Sequence, residues 1–182
     1  LSAYHDGGNT FYIGEFDGDM EANVIIPFTL AVKHQLAKRN GRLNLYVNSY
    51  GGNASIAFHM VELIEMAKRN DVTVRTIVTS AAYSAGSILA VCGSPGERYI
   101  AKDAQHLAHY GFSPRGEDGT PEQAKRNHKA TQVFFKQVYE HYDKYCAIPN
   151  LKENLLVDDW YISSKEALRW KMADKLITKF QI

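Results

Sequence analysis

The sequence predicts an α/β fold with a mainly parallel sheet and flanking helices. Two observations carry that class. Strand-like and helix-like stretches alternate along almost the whole chain. In its middle a β-branched apolar run, Val72 to Val78, passes straight into helix formers, Ala85 to Val91, through only small residues and Tyr83. A length of 182 residues, 45% hydrophobic and 23% charged, suits one globular domain with a sizeable core. Residues 1–9, LSAYHDGGN, are polar and glycine-bearing and read as a flexible arm, leaving 10–182 as the domain.

In order, Phe11-Tyr12-Ile13-Gly14 is a short strand and Gly14 to Gly18 a turn. From Met20 to Arg39 the apolar residues Val24, Phe28, Ala31, Val32 and Leu36 recur at helical spacing. Pro27 either kinks that helix or marks its true start, and Asn40-Gly41 ends it. Leu43 to Val47 alternates as a strand does. The stretch Asn48-Ser49-Tyr50-Gly51-Gly52-Asn53 then leads into a helix from about Ser55 to Arg69. After the central strand and helix come a turn at Gly93 to Gly96 and two short strands, Arg98 to Ala101 and Gln105 to His109. Ser113 to Pro121 is a loop. A long helix comes next, from Glu122 to Tyr145, with Ala124, His128, Thr131, Phe134, Phe135, Val138 and Tyr142 at helical intervals. Ile148 to Asp158 holds a connector and a short helix, and Trp160-Tyr161-Ile162 is extended. Ser163 to Glu166 has the form of a capping box and opens a helix, Lys165 to Trp170; Asp174 to Ile177 is a last strand.

A strand that turns directly into a helix lifts one side chain out of the sheet, beside free backbone N–H groups. A serine there can act as a nucleophile, because the oxyanion it generates meets waiting donors. Ser80 and Ser84 are the candidates, and a plain helix cap is the structural alternative. Gly51-Gly52 can bring backbone N–H groups close to a ligand, or simply form a loop. It is not a phosphate loop, since the lysine and spacing of GxxxxGK are absent. An activated serine needs a base oriented by an acid. His109, at a strand end, can be that base; Asp103, Asp118, Asp158 and Asp159 stand on turns. His106 and His109 point to opposite faces of their strand, which argues against a shared metal.

Formal net charge is +1, which disfavours a general nucleic-acid or membrane-surface role. No apolar run approaches the roughly 20 residues that span a bilayer. The two cysteines, Cys92 and Cys146, have no CxxC partner and fit a reducing compartment, with Cys92 in the core.

Five motif pieces occur in one order between about Thr10 and Ile177: Asn48-Ser49-x-Gly51-Gly52, Ala82-x-Ser84-Ala85-Gly86, Arg98-Tyr99, His109, and Tyr161-Ile162-Ser163-x-x-Glu166-Ala167. With them the chain resembles the ClpP family, the proteolytic subunits of the ATP-dependent Clp protease. The resemblance implies the ClpP/crotonase-like fold, with the long helix as a protruding handle. It also implies a serine endopeptidase that hydrolyses unfolded proteins inside an oligomeric chamber through a Ser-His-Asp triad. The family's A-A-S-M-G-A context matches Ser84, not Ser80 or Ser87. Its M-I-H strand end matches His109. Its aspartate, two residues before F-(L/M)-S-A, matches Asp159, with Asp158 the near miss. The implied oxyanion donors are the N–H groups of Gly52 and Ala85. The implied substrate-pairing segments are Gly52-Asn53-Ala54 and Gly111-Phe112-Ser113. No cofactor and no metal are implied. The implied partners are unfolded polypeptides, further copies of the chain in a heptameric ring, single or doubled, and an AAA+ unfoldase. The implied compartment is the cytoplasm of a bacterial or phage-infected cell, with organellar stroma or matrix as the alternative.

The chain departs from the family pattern at Tyr50 for proline, Tyr110-Gly111 for Gln-Pro, Ser113-Pro114 for a glycine pair, Trp160 for arginine and Lys171 for glycine. These changes touch assembly and specificity and spare the matched triad. Two other classes compete: a non-catalytic ring subunit of the same fold, and a crotonase-like acyl-CoA enzyme. Only an activated serine would label with a fluorophosphonate.

Overall fold

The computed structural model describes residues 3–5, 8–18, 21–110 and 120–177. The elements are β1 (Ala3–His5), β2 (Thr10–Ile13), a π-helical stretch (Glu21–Ile25) running into α1 (Ile26–Leu36), β3 (Arg42–Ser49), α2 (Ala54–Arg69), β4 (Thr73–Tyr83), α3 (Ala85–Val91), β5 (Arg98–Ile100), β6 (Gln105–Ala108), α4 (Pro121–Tyr145), α5 (Leu151–Val157), β7 (Trp160–Ser163), α6 (Ser164–Arg169) and β8 (Lys175–Leu176). Among the described residues the strands lie in the order β1-β2-β3-β4-β5-β8, with β6 on β4 and β7 on β6. The path from β2 to β8 is parallel throughout, and only β1 and β7 run antiparallel to their neighbours. This is the expected α/β class with a mainly parallel sheet.

The sheet forks at β4. Val47 of β3 faces Val78, but Ser49 faces Ala82, so four steps on β4 oppose two on β3. The side chain of Asn48 fills the break by accepting from Ala81 N at 3.2 Å. A bulge bends its strand and re-aims the residues beyond it. Before it, Thr76 to Val78 pair with β5; after it, Ala81 to Tyr83 pair with β6. The strand expected to stop at Val78 therefore continues through the small residues to Tyr83, because β6 supplies ladder partners for them.

Leu43, Leu45 and Val47 alternate inward along β3, and Phe11 packs edge to face on Phe28 of α1, with ring centroids 5.1 Å apart. All seven residues of α3 are buried. A helix apolar all round belongs in a core, and here it sits between the sheet and α2 and α4.

Several expectations are corrected, and one pair of alternatives is resolved. Within the stretch expected to be an arm, Ala3–His5 is an edge strand paired with β2; the intervening Asp-Gly-Gly is as good a hairpin signal as a linker one. Pro27 is the second residue of α1, where a missing N–H costs nothing, so it marks the α-helical start. Leu36 is on the solvent side; its neighbour Gln35 is buried instead and accepts from Arg42 N. On α4, capped by a Thr120–Gln123 box, the first turns stand largely clear of the body, while Val138 and Tyr142 are buried in this same chain and Phe134 and Phe135 pack half-buried on its core. That part of the helix's apolar surface is already covered without a second subunit. Trp160 is likewise half-buried, against Trp170.

Arg98 and Asp174 lock the C-terminal segment to β5. The guanidinium grips the carboxylate with Nη2 at 2.6 Å and Nε at 2.9 Å, and donates from Nη1 to Tyr145 O at 2.8 Å. Burial pushes the Asp174 carboxyl up, but the hydrogen bonds from Arg98 outweigh it and hold it below its ordinary value.

Candidate active site

Ser84 is the hinge between β4 and α3. Its backbone has φ 51° and ψ −117°, a positive-φ conformation that is costly for a residue with a Cβ. Ser84 N donates to Leu107 O at 2.9 Å and Ile88 N donates to Ser84 O at 3.1 Å, so β6 holds one side of the elbow and α3 the other. Close approach of β3 completes it. A Cβ on Gly51 would fall 2.8 Å from Ser84 Cβ, and one on Gly86 would fall 2.9 Å from Ser49 Cβ. Glycine is the residue that lets the Ser49–Gly52 loop lie against the elbow.

The imidazole of His109 reaches the hydroxyl. His109 Nε2 is 2.7 Å from Ser84 Oγ, and His109 Nδ1 is 3.0 Å from Asp159 Oδ1. The sheet brings the three together: His109 comes directly after β6, Asp159 directly before β7, and these strands pair antiparallel with Ala108 opposite Trp160. With Nδ1–H donating to the carboxylate, Nε2 is free to accept from the serine O–H. The Asp159 side chain is half exposed (50%), against 24% for His109. Asp158 turns instead to its own neighbour, accepting from Asp159 N at 2.8 Å. Asp103 is exposed, and Asp118 lies outside the described residues. Ser80 lies exposed within β4.

Phe16, which the sequence places in a turn, is what positions the glycine pair. It donates from N to Gly51 O at 2.8 Å and accepts at O from Asn53 N at 2.7 Å, a parallel bridge to Gly52. Gly52 has φ 126°, and a Cβ there would run into Phe16 O. Among the described residues the N–H groups of Gly52 and Ala85 have no acceptor. Within Gly52-Asn53-Ala54, the segment expected to pair with substrate, the Asn53 N–H is taken by Phe16; the Asn53 side chain caps α2, and Ala54 is that helix's first residue. Gly111, Phe112, Ser113 and Pro114 lie outside the described residues.

Reading by motif and period misses three tyrosine rings beside the elbow. Tyr50 stands edge to face on Tyr83 at 5.5 Å, and Tyr83 on Tyr161 at 5.6 Å. Tyr83, Leu107 and Tyr161 are paired in register across β4, β6 and β7, and Tyr83 Oη donates to Gln105 Oε1. A signal was present, since each tyrosine is within two residues of Gly51, Ser84 or Asp159. The described residues gather no group of three His, Cys, Asp or Glu side chains as metal ligands, and none of their helices is long and apolar enough to cross a membrane.

A hydroxyl, an imidazole and a carboxylate in line at a strand-to-helix elbow are the arrangement on which serine hydrolases of unrelated folds converge. The chain belongs to the Clp protease family, whose model matches residues 8–180. It is 27% identical over 164 residues, 87% of this chain and 79% of the relative, to an ATP-dependent Clp protease proteolytic subunit of Streptococcus mutans serotype c. It is also 27% identical over 143 residues, 74% of this chain and 65% of the relative, to ATP-dependent Clp protease proteolytic subunit 1 of Protochlamydia amoebophila.

Proposed function

We propose that the chain is a serine endopeptidase of the ClpP type, with Ser84 as nucleophile, His109 as general base and Asp159 as the residue that orients it. The observation that carries this is the single imidazole bridging Ser84 Oγ and Asp159 Oδ1 at 2.7 and 3.0 Å. His109 Nε2 takes the hydroxyl proton as Oγ attacks a peptide carbonyl. Asp159 keeps the Nδ1–H tautomer and stabilises the imidazolium that forms. The N–H groups of Gly52 and Ala85 donate to the tetrahedral oxyanion; losing one donor of this kind typically costs about 2.7–4 kcal/mol of barrier. His109 then returns the proton to the leaving amine. Water, deprotonated by the same imidazole, releases the acyl group from Ser84.

The substrate is an unfolded polypeptide, and its backbone approaches along the glycine pair while its side chains meet Tyr50, Tyr83 and Tyr161. The chain works in a homo-oligomeric ring fed by an AAA+ unfoldase, in the cytoplasm. Exposed apolar side chains outside the core fit subunit contacts: Ile26 and Leu30 on α1, Val133 on α4, and Leu156 and Val157 on α5. The test pairs hydrolysis of a short fluorogenic peptide with sedimentation velocity. Wild type should cleave and sediment as a ring, and Ser84→Ala should sediment identically and not cleave. Activity that survives Ser84→Ala, or a monomer at micromolar concentration, contradicts this function.

A further inference from the structure

The pair at the active site has a buried counterpart. Ser87 lies one helical turn beyond Ser84 on α3, and His106 lies three residues before His109 on β6. Ser87 Oγ and His106 Nδ1 are 3.0 Å apart. Both side chains are buried, at 0% and 1% exposure. Tyr142 of α4, equally buried, stands beside this pair: burial pushes its phenol up, and the Ser87 side chain offsets part of that rise. The preceding His141 donates from Nε2 to Ile88 O at 2.7 Å.

This second serine–histidine pair has no means of turning over a substrate. It is sealed in the core, and His106 Nε2 has no partner among the described residues, so no carboxylate orients the ring. Burial pushes the imidazole down to about 4, so it is neutral near neutral pH. Stability does not explain it either. Apolar residues in place of both members of a buried polar pair are close to neutral, whereas the pair must be fully desolvated to exist. A buried hydrogen bond does supply direction, which apolar contact lacks.

We infer that Ser87 and His106 are a positioning pair that fixes α3 against β6 and thereby holds Ser84 Oγ within reach of His109 Nε2. The two elements and the residues at their adjoining ends are tied at three points: Ser84 N to Leu107 O at 2.9 Å, Ser87 to His106 at 3.0 Å, and Ser84 to His109 at 2.7 Å. The last of these breaks and re-forms in each catalytic cycle. The other two keep the register while it does. A shift of about one ångström between α3 and β6 is enough to misalign the attacking oxygen. Both residues act through Ser84 and His109 and touch no substrate.

The inference rests on the proposed peptidase activity, and the test separates the two. The triple variant Ser87→Ala/His106→Val/Tyr142→Phe leaves no polar group orphaned. It is compared with wild type for Tm, for kcat and KM on a fluorogenic peptide, and for the ring 1H–15N resonances of His109. The expected result is a Tm close to wild type, KM within about twofold, kcat at least about tenfold lower, and displaced His109 resonances. Wild-type kcat and unmoved His109 resonances in a variant of wild-type Tm overturn the positioning role. A wild type that cleaves nothing sinks the peptidase activity, but the His109 resonances still decide the positioning. Should the triple variant not fold, His106→Asn is set against His106→Val, because the asparagine Oδ1 takes the place of Nδ1. Asparagine should hold kcat within about threefold and valine lose at least about tenfold; equal losses overturn the inference.

Discussion

His109 Nδ1 lies 3.0 Å from Asp159 Oδ1, while the adjacent Asp158 is turned to the Asp159 amide. One step along the chain separates a carboxylate that can orient the imidazole from one that cannot. Asp159→Asn should therefore lower kcat by about 100- to 1,000-fold with KM little changed. That is less than the roughly 10⁴-fold of a fully buried aspartate, because half of this side chain meets water. Asp158→Asn should stay within about threefold of wild type. Steady-state kinetics on a fluorogenic peptide checks both, and a large loss in Asp158→Asn alone would move the acid by one residue.

Gly51 abuts Ser84 so closely that a methyl group has no room, and its φ of 111° disfavours any side chain. Gly51→Ala should cost about 1–2 kcal/mol of stability and displace the elbow, so that kcat falls by at least about tenfold. Urea unfolding and peptide kinetics together test this. Wild-type values in both would mean that the loop does not bear on Ser84.

The Arg98–Asp174 pair, with side-chain exposures of 9% and 18%, is the buried ion pair joining β5 to the C-terminal segment. Asp174→Asn leaves the guanidinium without its countercharge and should cost about 3 kcal/mol in urea unfolding. A loss below about 1 kcal/mol would show that Tyr145 O and solvent satisfy Arg98 on their own.

His106 and His141 are buried neutral, and burial holds each at about 4. The unfolded chain, with histidines near 6.5, binds more protons than the fold between about pH 4 and 6.5. Stability is therefore complete above that window and falls as the pH drops through it, by up to about 1 kcal/mol per pH unit for each histidine. Glu65, close to His141, titrates below this range: burial raises its carboxyl, but hydrogen bonds from Lys144 and Lys68 outweigh that and bring it to about 2. His141→Gln keeps a donor for Ile88 O and removes one titration. Its Tm should decline less steeply than that of wild type between about pH 6.5 and 4.5, and parallel declines would argue against a neutral buried His141.

Lys171 sits at φ 56°, where the family pattern has glycine. Lys171→Gly should raise stability by about 1 kcal/mol, read as a higher urea midpoint at unchanged slope. No gain would mean that the lysine stem recovers the strain by packing.

Much of this was legible in the residues. The alternation of Leu43 to Val47 and the Ser163–Glu166 capping box come from local rules of period and capping. The fork in β4 was not legible, because Thr79 to Ala82 become strand only when β6 lies beside them. Phe16 gave no sign that it would clamp Gly51 and Asn53. Nor could period tell that Val138 and Tyr142 are buried by their own chain, since an apolar stripe on a helix does not name what covers it. Ser84, His109 and Asp159 lie in separate segments that no spacing rule connects; motif resemblance singled them out, and the pairing of β4, β6 and β7 is the physical reason they meet.

The most direct measurement is fluorophosphonate labelling of the wild-type protein, with the modified residue mapped by mass spectrometry. Only a serine activated by a base reacts at a useful rate. The label should fall on Ser84, slow by at least about 100-fold in His109→Ala, and vanish in Ser84→Ala while Ser87→Ala keeps its label on Ser84. Label on any other serine, or none on a folded wild type, would contradict Ser84 as the nucleophile.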